Sequence, residues 1–107
     1  MKKIKILIVL ADFYQEISNN LLENATSFFE SENIDYKCIR VPGALEIPQA
    51  IKFYYDSDNQ YDGYLALGCI IKGETYHFEL VSNESARSLS DLSLHFSIPI
   101  GNGILTT

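Results

Sequence analysis

Two apolar segments stand out along the chain. Residues 4–11 (IKILIVLA) and residues 64–71 (YLALGCII) are short and almost continuously apolar, which is typical of strands covered on both faces of a parallel sheet. Residues 36–41 and residues 98–105 predict two further strands, and the more polar composition of the first of these places it at an edge of the sheet. The pattern therefore predicts four strands.

The segments between these strands show the periodicity of helices. Apolar positions fall on one helical face over residues 15–32, over a second helix that follows Pro42-Gly43 and ends near residue 56, and over residues 76–96. Regular alternation of strand and helix implies right-handed parallel crossovers. The predicted fold is a single α/β domain, residues 1–107, built as a flavodoxin-like three-layer sandwich with strand order 2-1-3-4 and helices on both faces of the sheet.

The predicted topology brings distant segments together. Ligands of such sheets bind beyond the carboxyl ends of the strands, near the point where the strand order reverses. Residues 12–13, 41–46, 68–77 and 102–107 follow or end the four strands. We therefore expect these four segments to border one crevice.

The composition of the chain limits the classes of molecule that could be its main binding partner. The chain has 107 residues, 14 acidic and 8 basic, with a net charge of −6, which disfavours nucleic acid or an anionic membrane as the main partner. No apolar run approaches the roughly 20 residues that span a bilayer. Cys38 and Cys69 lie in separate strand-like runs without metal-type spacing, which indicates buried free thiols and a reducing cytoplasm.

The junction after the third strand carries the first candidate chemistry. Gly73, Glu74 and Thr75 begin the third helix, where free backbone N–H groups, a hydroxyl and the helix dipole suit a phosphate. A glycine turn with Thr75 as an ordinary N-cap explains the same residues. His77, in the first helical turn, suits proton transfer near neutral pH, although an ordinary surface histidine fits equally well. His95, at the far end, is interpreted as solvated or paired with the helix dipole.

Two further residues face the same crevice in the predicted topology. Phe13 follows the first strand directly and is placed to stack on a flat heteroaromatic ring, or to cap the core. Glu46 lies off the buried stripe of its helix, where its carboxylate accepts hydrogen bonds from a polyol or simply compensates the helix dipole.

The third helix has a second, mainly apolar stripe on a side that would be exposed to solvent in a single subunit. It consists of Tyr76, Leu80, Arg87 and Leu94. This stripe predicts packing against another subunit, although scattered exposed leucines are common.

Three ordered motifs resemble the lumazine synthase family. They are VPGALEIP at residues 41–48, the GCIIKGETYH segment at residues 68–77 followed by Asn83-Glu84, and PIGNGILTT at residues 99–107. The resemblance spans essentially the whole chain. It implies condensation of 5-amino-6-(D-ribitylamino)uracil with 3,4-dihydroxy-2-butanone 4-phosphate, the penultimate step of riboflavin synthesis, without a cofactor and in a homo-oligomer, a pentamer or a larger shell.

The resemblance also implies roles for single residues. Phe13 stacks on the pyrimidine, while His77 moves protons during imine formation and phosphate elimination. The remaining residues are implied to bind the ribityl chain (Ala44, Leu45, Glu46), the uracil edge through backbone groups (Cys69, Ile70, Ile71), the phosphate (Glu74, Thr75) and a neighbour's substrate (Asn102).

The chain departs from the family pattern in three places. Leu45 replaces an aromatic residue, Lys72 replaces an arginine, and family members continue beyond Thr107 into a final helix with a phosphate-binding arginine. The sequence is therefore interpreted as a truncated homologue, and a non-catalytic assembly subunit stays open as the alternative. A receiver domain is excluded because its acidic cluster and acceptor aspartate are lacking, and a flavodoxin-type carrier because no glycine follows the first strand. The related archaeal-type riboflavin synthase fits the PGALEIP and GETYH motifs less well.

Overall fold

The computed structural model describes residues 3–58, 60–72 and 78–107. In these ranges the elements are β1 (Lys5–Ala11), α1 (Gln15–Ser31), β2 (Asp35–Val41), a 3-10 turn (Ala44–Glu46), α2 (Ile47–Ser57), β3 (Gly63–Ile70), α3 (Phe78–Phe96) and β4 (Ile100–Thr106). All strand pairs are parallel and the order is β2-β1-β3-β4. The predicted flavodoxin-like α/β sheet and its strand order are confirmed.

Helices cover both faces of the sheet because β1 and β3 are apolar on both faces. In β1, Leu7 and Val9 face one way and Ile8 and Leu10 the other, and all four are fully buried. Helix α1 packs over the Ile8 face through Leu21, Leu22, Ala25 and Phe29. Helices α2 and α3 pack over the Leu7 face through Ile47, Ile51 and Leu89. Among the described helices, none combines the length and the apolar character that a membrane span requires.

The second helix begins later than the sequence pattern predicts. An α-helix was expected directly after Pro42-Gly43, but residues 44–46 form a 3-10 turn and α2 begins at Ile47. Pro48 has no N–H, so it cannot donate the i→i−4 bond that an α-helix would bring to the carbonyl of Ala44. The N–H of Ile47 donates to that carbonyl instead, with the tighter spacing of a 3-10 turn.

The last strand also begins later than predicted. Ile98 was expected to start it, but β4 begins at Ile100. Helix α3 ends at Phe96, and the next residue, Ser97, lies in the left-handed region with φ 53°. The Ser93 hydroxyl donates to the carbonyl of Ile98 at 2.8 Å. The side chain of Ile98 is buried and enters the core from the turn rather than from the strand.

Both cysteines are free thiols, as predicted. Cys69 is buried in β3 and Cys38 is half-buried in the edge strand β2. Burial raises the pKa of the Cys38 thiol, and the positive charge of Arg40 offsets this rise only in part. Because the raised pKa keeps the thiol protonated at neutral pH, Cys38 has little nucleophilic character.

Candidate functional site

A cleft lies at the edge of the sheet where β1, β2 and β3 have their carboxyl ends. Its volume is about 320 Å³ and its lining is mostly apolar. The lining residues come from the β1–α1 loop, the 3-10 turn, the end of β3 and the first turn of α3: Phe13, Tyr14, Gly43, Ala44, Leu45, Glu46, Cys69, Ile70 and Val81. The cleft occupies the crevice that the strand order predicts.

Phe13 forms one wall of the cleft. It follows β1 after a single intervening residue, and 70% of its surface is exposed. The ring packs edge-to-face with Tyr14, with 4.9 Å between ring centroids and an interplanar angle of 77°. A phenylalanine that capped the core would be buried, and Phe13 is not. The exposed ring is available for stacking by a planar ligand.

The 3-10 turn contributes three residues to the lining. Ala44 is buried, Leu45 is exposed and Glu46 is half-buried. The N–H of Glu46 donates to the carbonyl of Gly43 at 3.2 Å, which closes the turn. The carboxylate bends back over Gly43, where a Cβ would lie 3.4 Å from Oε1.

The electrostatics of the cleft depend on Glu46. None of the ion pairs within residues 3–58, 60–72 and 78–107 includes this carboxylate. It lies at the amino end of α2, where the helix dipole favours a negative charge. A half-buried acceptor that has no cationic partner in the described part of the chain suits the hydroxyl groups of a polar ligand.

The end of β3 contributes to the lining of the cleft. Cys69 and Ile70 are buried and are among the lining residues. Ile71 follows the strand, is half-buried and is not among the lining residues. The N–H of Lys72 donates to the carbonyl of Thr107 at 2.7 Å, so β3 and the chain end run together beyond the regular sheet.

Three predicted site residues, Glu74, Thr75 and His77, lie outside the described residues. On the α3 side, Val81 lines the cleft. Among the described residues, no three His, Cys, Asp or Glu side chains are close enough together to hold a metal ion.

Comparison with known proteins shows the family. The family profile of 6,7-dimethyl-8-ribityllumazine synthase matches residues 3–107. The chain belongs to the 6,7-dimethyl-8-ribityllumazine synthase family. It is 55% identical over 105 residues to the 6,7-dimethyl-8-ribityllumazine synthase of Bartonella tribocorum, covering 98% of this chain and 70% of the relative. It is 54% identical over 110 residues to the enzyme of that name from Agrobacterium fabrum, covering 99% and 74%.

Asn102 is not part of this cleft. The resemblance to the lumazine synthase family implies that it contacts a neighbouring subunit's substrate, and this stays a prediction. Asn102 lies in the middle of β4 beside Ala66 and is exposed, while the cleft begins three register positions further along at Cys69. Three residues of strand correspond to about 10 Å. The Oδ1 atom of Asn102 accepts the N–H of Ile104 at 3.0 Å.

Three lining residues were not singled out from the sequence: Tyr14, Gly43 and Val81. Val81 belongs to the apolar stripe of α3, and that stripe was assigned to the core. Tyr14 stands beside Phe13, and its adjacency to an exposed aromatic residue was the one available signal. In a lumazine synthase fold, residues that cover the core and residues that line the cleft share one helix face, so periodicity does not separate them.

Proposed function

We propose that this chain condenses 5-amino-6-(D-ribitylamino)uracil with 3,4-dihydroxy-2-butanone 4-phosphate to give 6,7-dimethyl-8-ribityllumazine, with release of phosphate and water. The observation that carries the proposal is the exposed ring of Phe13 in one cleft with the turn at residues 44–46. Membership of the lumazine synthase family supports it. The alternative, a non-catalytic assembly subunit, is an outcome of the experiment below.

We assign the pyrimidine substrate to the described part of the cleft. A uracil ring stacks on the face of Phe13 and reaches the backbone at the end of β3, where Cys69 and Ile70 line the cleft. The ribityl hydroxyls donate to the carboxylate of Glu46, and Leu45 packs against the carbon chain. Ile71 binds the uracil edge through its backbone if the ligand extends past the present lining.

The phosphorylated substrate is assigned to the segment after β3. Glu74 and Thr75 contact the phosphate through backbone N–H groups and a hydroxyl, and His77 transfers protons during imine formation and phosphate elimination. Holding two substrates in register supplies most of the acceleration, because correct positioning replaces a bimolecular encounter. The reaction as proposed uses no cofactor.

Turnover tests this function directly. The purified chain is mixed with both substrates and the absorbance of the lumazine product is followed. Phe13→Ala is expected to raise the KM for the pyrimidine about 10-fold, since stacking of a base on an aromatic ring contributes about 1–3 kcal/mol. The matched control is Phe28→Ala on α1, which removes another exposed phenylalanine distant from the cleft lining.

The outcomes separate the two hypotheses. Product formation that depends on Phe13 and not on Phe28 supports catalysis in this cleft. Absence of product, with the ligand still bound in a Phe13-dependent way, favours the non-catalytic subunit. An equal response of both variants refutes the assignment of Phe13 to the pyrimidine.

The outer face of α3 is proposed to contact another subunit. Leu80 is 54% exposed and Leu94 is 83% exposed, and Arg87 between them pairs with Glu84 and Asp91 on its own helix. Tyr76, the fourth residue of this stripe, lies outside the described residues. We expect sedimentation velocity to find an oligomer, a pentamer or larger, at micromolar concentration. Leu94→Glu should shift the distribution towards monomer, whereas a monomeric wild type would contradict the proposal.

A further inference from the structure

Ser18 is a polar side chain with no exposed surface. It lies in the first turns of α1, on the face that packs against the sheet. Its hydroxyl donates a hydrogen bond of 2.8 Å to the backbone carbonyl of Ala11. A serine inside a helix usually points to solvent or bonds back to a carbonyl of its own helix. Here the hydroxyl instead joins the helix to the end of a strand.

The hydroxyl of Ser18 does not cap the helix. The backbone N–H of Ser18 donates to the carbonyl of Tyr14 at 2.9 Å, as in any first α-helical bond. Tyr14, the N-cap residue, makes no side-chain capping bond. Because an alanine would fill nearly the same space without the cost of burying a hydroxyl, local helix formation does not account for a serine here.

Ala11 is the residue at which β1 leaves the sheet. The register with β3 stops one residue earlier, at Leu10 beside Leu67, while the register with β2 continues to Ala11. On the β2 side, the N–H of Asp12 donates to the carbonyl of Val41 at 3.1 Å. The carbonyl of Ala11 belongs to the same peptide group as this N–H, so the bond from Ser18 holds the other side of that group. Two residues after Ala11, the chain presents the ring of Phe13 to the cleft.

A close approach on the β3 side leaves little freedom at this point. A Cβ at Gly68 would lie 3.1 Å from the Cβ of Ala11, so the two strands touch where the chain turns. At Ala11 the chain is packed on its β3 side and hydrogen-bonded on its β2 side. Ser18 holds it on the side of helix α1. We propose that Ser18 is a positioning residue, which fixes the carbonyl of Ala11 and thereby the direction in which Phe13 enters the cleft. This inference rests on the proposed role of Phe13 in binding the pyrimidine.

The first test is kinetic. Ser18→Ala is expected to raise the KM for the pyrimidine substrate about 5-fold, the size of effect of one hydrogen bond. Turnover at saturation and the KM for the phosphorylated substrate should change less than about 2-fold, because only the stacking ring has lost its orientation. In a Phe13→Ala background, Ser18→Ala should have almost no further effect on the pyrimidine KM, since the ring that it orients is gone.

The second test needs no substrate. Amide hydrogen exchange at Asp12, whose N–H donates to Val41, should be about 5-fold faster in Ser18→Ala when measured by NMR on the full chain, because the segment is released on one side. Ser85→Ala is the matched control. Ser85 is also a buried helical serine, but its hydroxyl donates to the carbonyl of Ser82 in its own helix at 3.2 Å. Ser85→Ala should leave the exchange rate at Asp12 and the pyrimidine KM unchanged.

Each outcome decides a separate step. Unchanged exchange at the Asp12 amide overturns the anchoring by Ser18. Faster exchange with an unchanged KM, or a KM effect that persists in the Phe13→Ala background, overturns the positioning of Phe13. If the wild type neither turns over nor binds the pyrimidine, the proposed function fails, and the role of Ser18 in binding fails with it.

Discussion

Replacement of His77 by alanine is expected to lower kcat about 100-fold, the lower end of the range for loss of a general acid–base group. Imine formation and phosphate elimination both require protons to move near neutral pH, where histidine titrates. Activity should be reduced rather than abolished, because the cleft still holds two substrates in register. The measurement is steady-state turnover, followed by lumazine absorbance with both substrates saturating.

His95 provides the matched control because it is the second of the chain's two histidines. It is exposed, in the last turn of α3, and α3 has 19 residues from Phe78 to Phe96, or about 28 Å at 1.5 Å per residue. His95→Ala should leave turnover unchanged. Equal rates for the wild type and His77→Ala would remove His77 from the proposed mechanism.

Replacement of Ile51 by alanine is expected to lower the free energy of unfolding by about 3 kcal/mol. Ile51 lies in α2, is fully buried and belongs to the core between α2, α3 and the sheet. Truncation removes buried methyl and methylene groups and leaves a cavity that the packed strands fill only in part. This core includes Leu7 and Val9 of β1, so the loss affects the centre of the fold.

The matched control lies two residues along the same helix. Phe53 is 65% exposed, and Phe53→Ala should change the free energy of unfolding by only about 0.5 kcal/mol, the scale of surface substitutions. Urea denaturation at one fixed protein concentration measures both variants, because association would otherwise alter the apparent stability. A loss for Phe53→Ala as large as that for Ile51→Ala would contradict the described core.

Much of the fold could be predicted from the sequence because the strands are buried on both faces. Continuous apolar runs identify β1 and β3, and the handedness of parallel crossovers then leaves few strand orders. The first residues of α2 and β4 could not be predicted from the sequence pattern. The first depends on the missing N–H of Pro48, and the second on a left-handed residue, Ser97, that lets Ile98 enter the core before the strand begins. Both are local hydrogen-bonding effects, and the hydrophobic periodicity of the sequence does not reveal them.

The candidate site could be predicted only in part. Strand order placed the turn at residues 44–46 and Phe13 near one crevice, and the structure brings them into one cleft. The sequence did not separate Val81 from the core residues on its helix, because both kinds of position are apolar. The hydroxyl of Ser18 gave no signal either, since its partner is a backbone carbonyl seven residues away.

The position of Leu45 bears on the redesign of ligand selectivity. Leu45 lines the cleft and is 40% exposed, whereas its neighbour Ala44 is buried and Glu46 is half-buried. A wider or narrower side chain at this position changes the width of the opening at small cost in stability. A laboratory seeking an enzyme for modified pyrimidines therefore has a position at which size can be varied while the folded scaffold is kept.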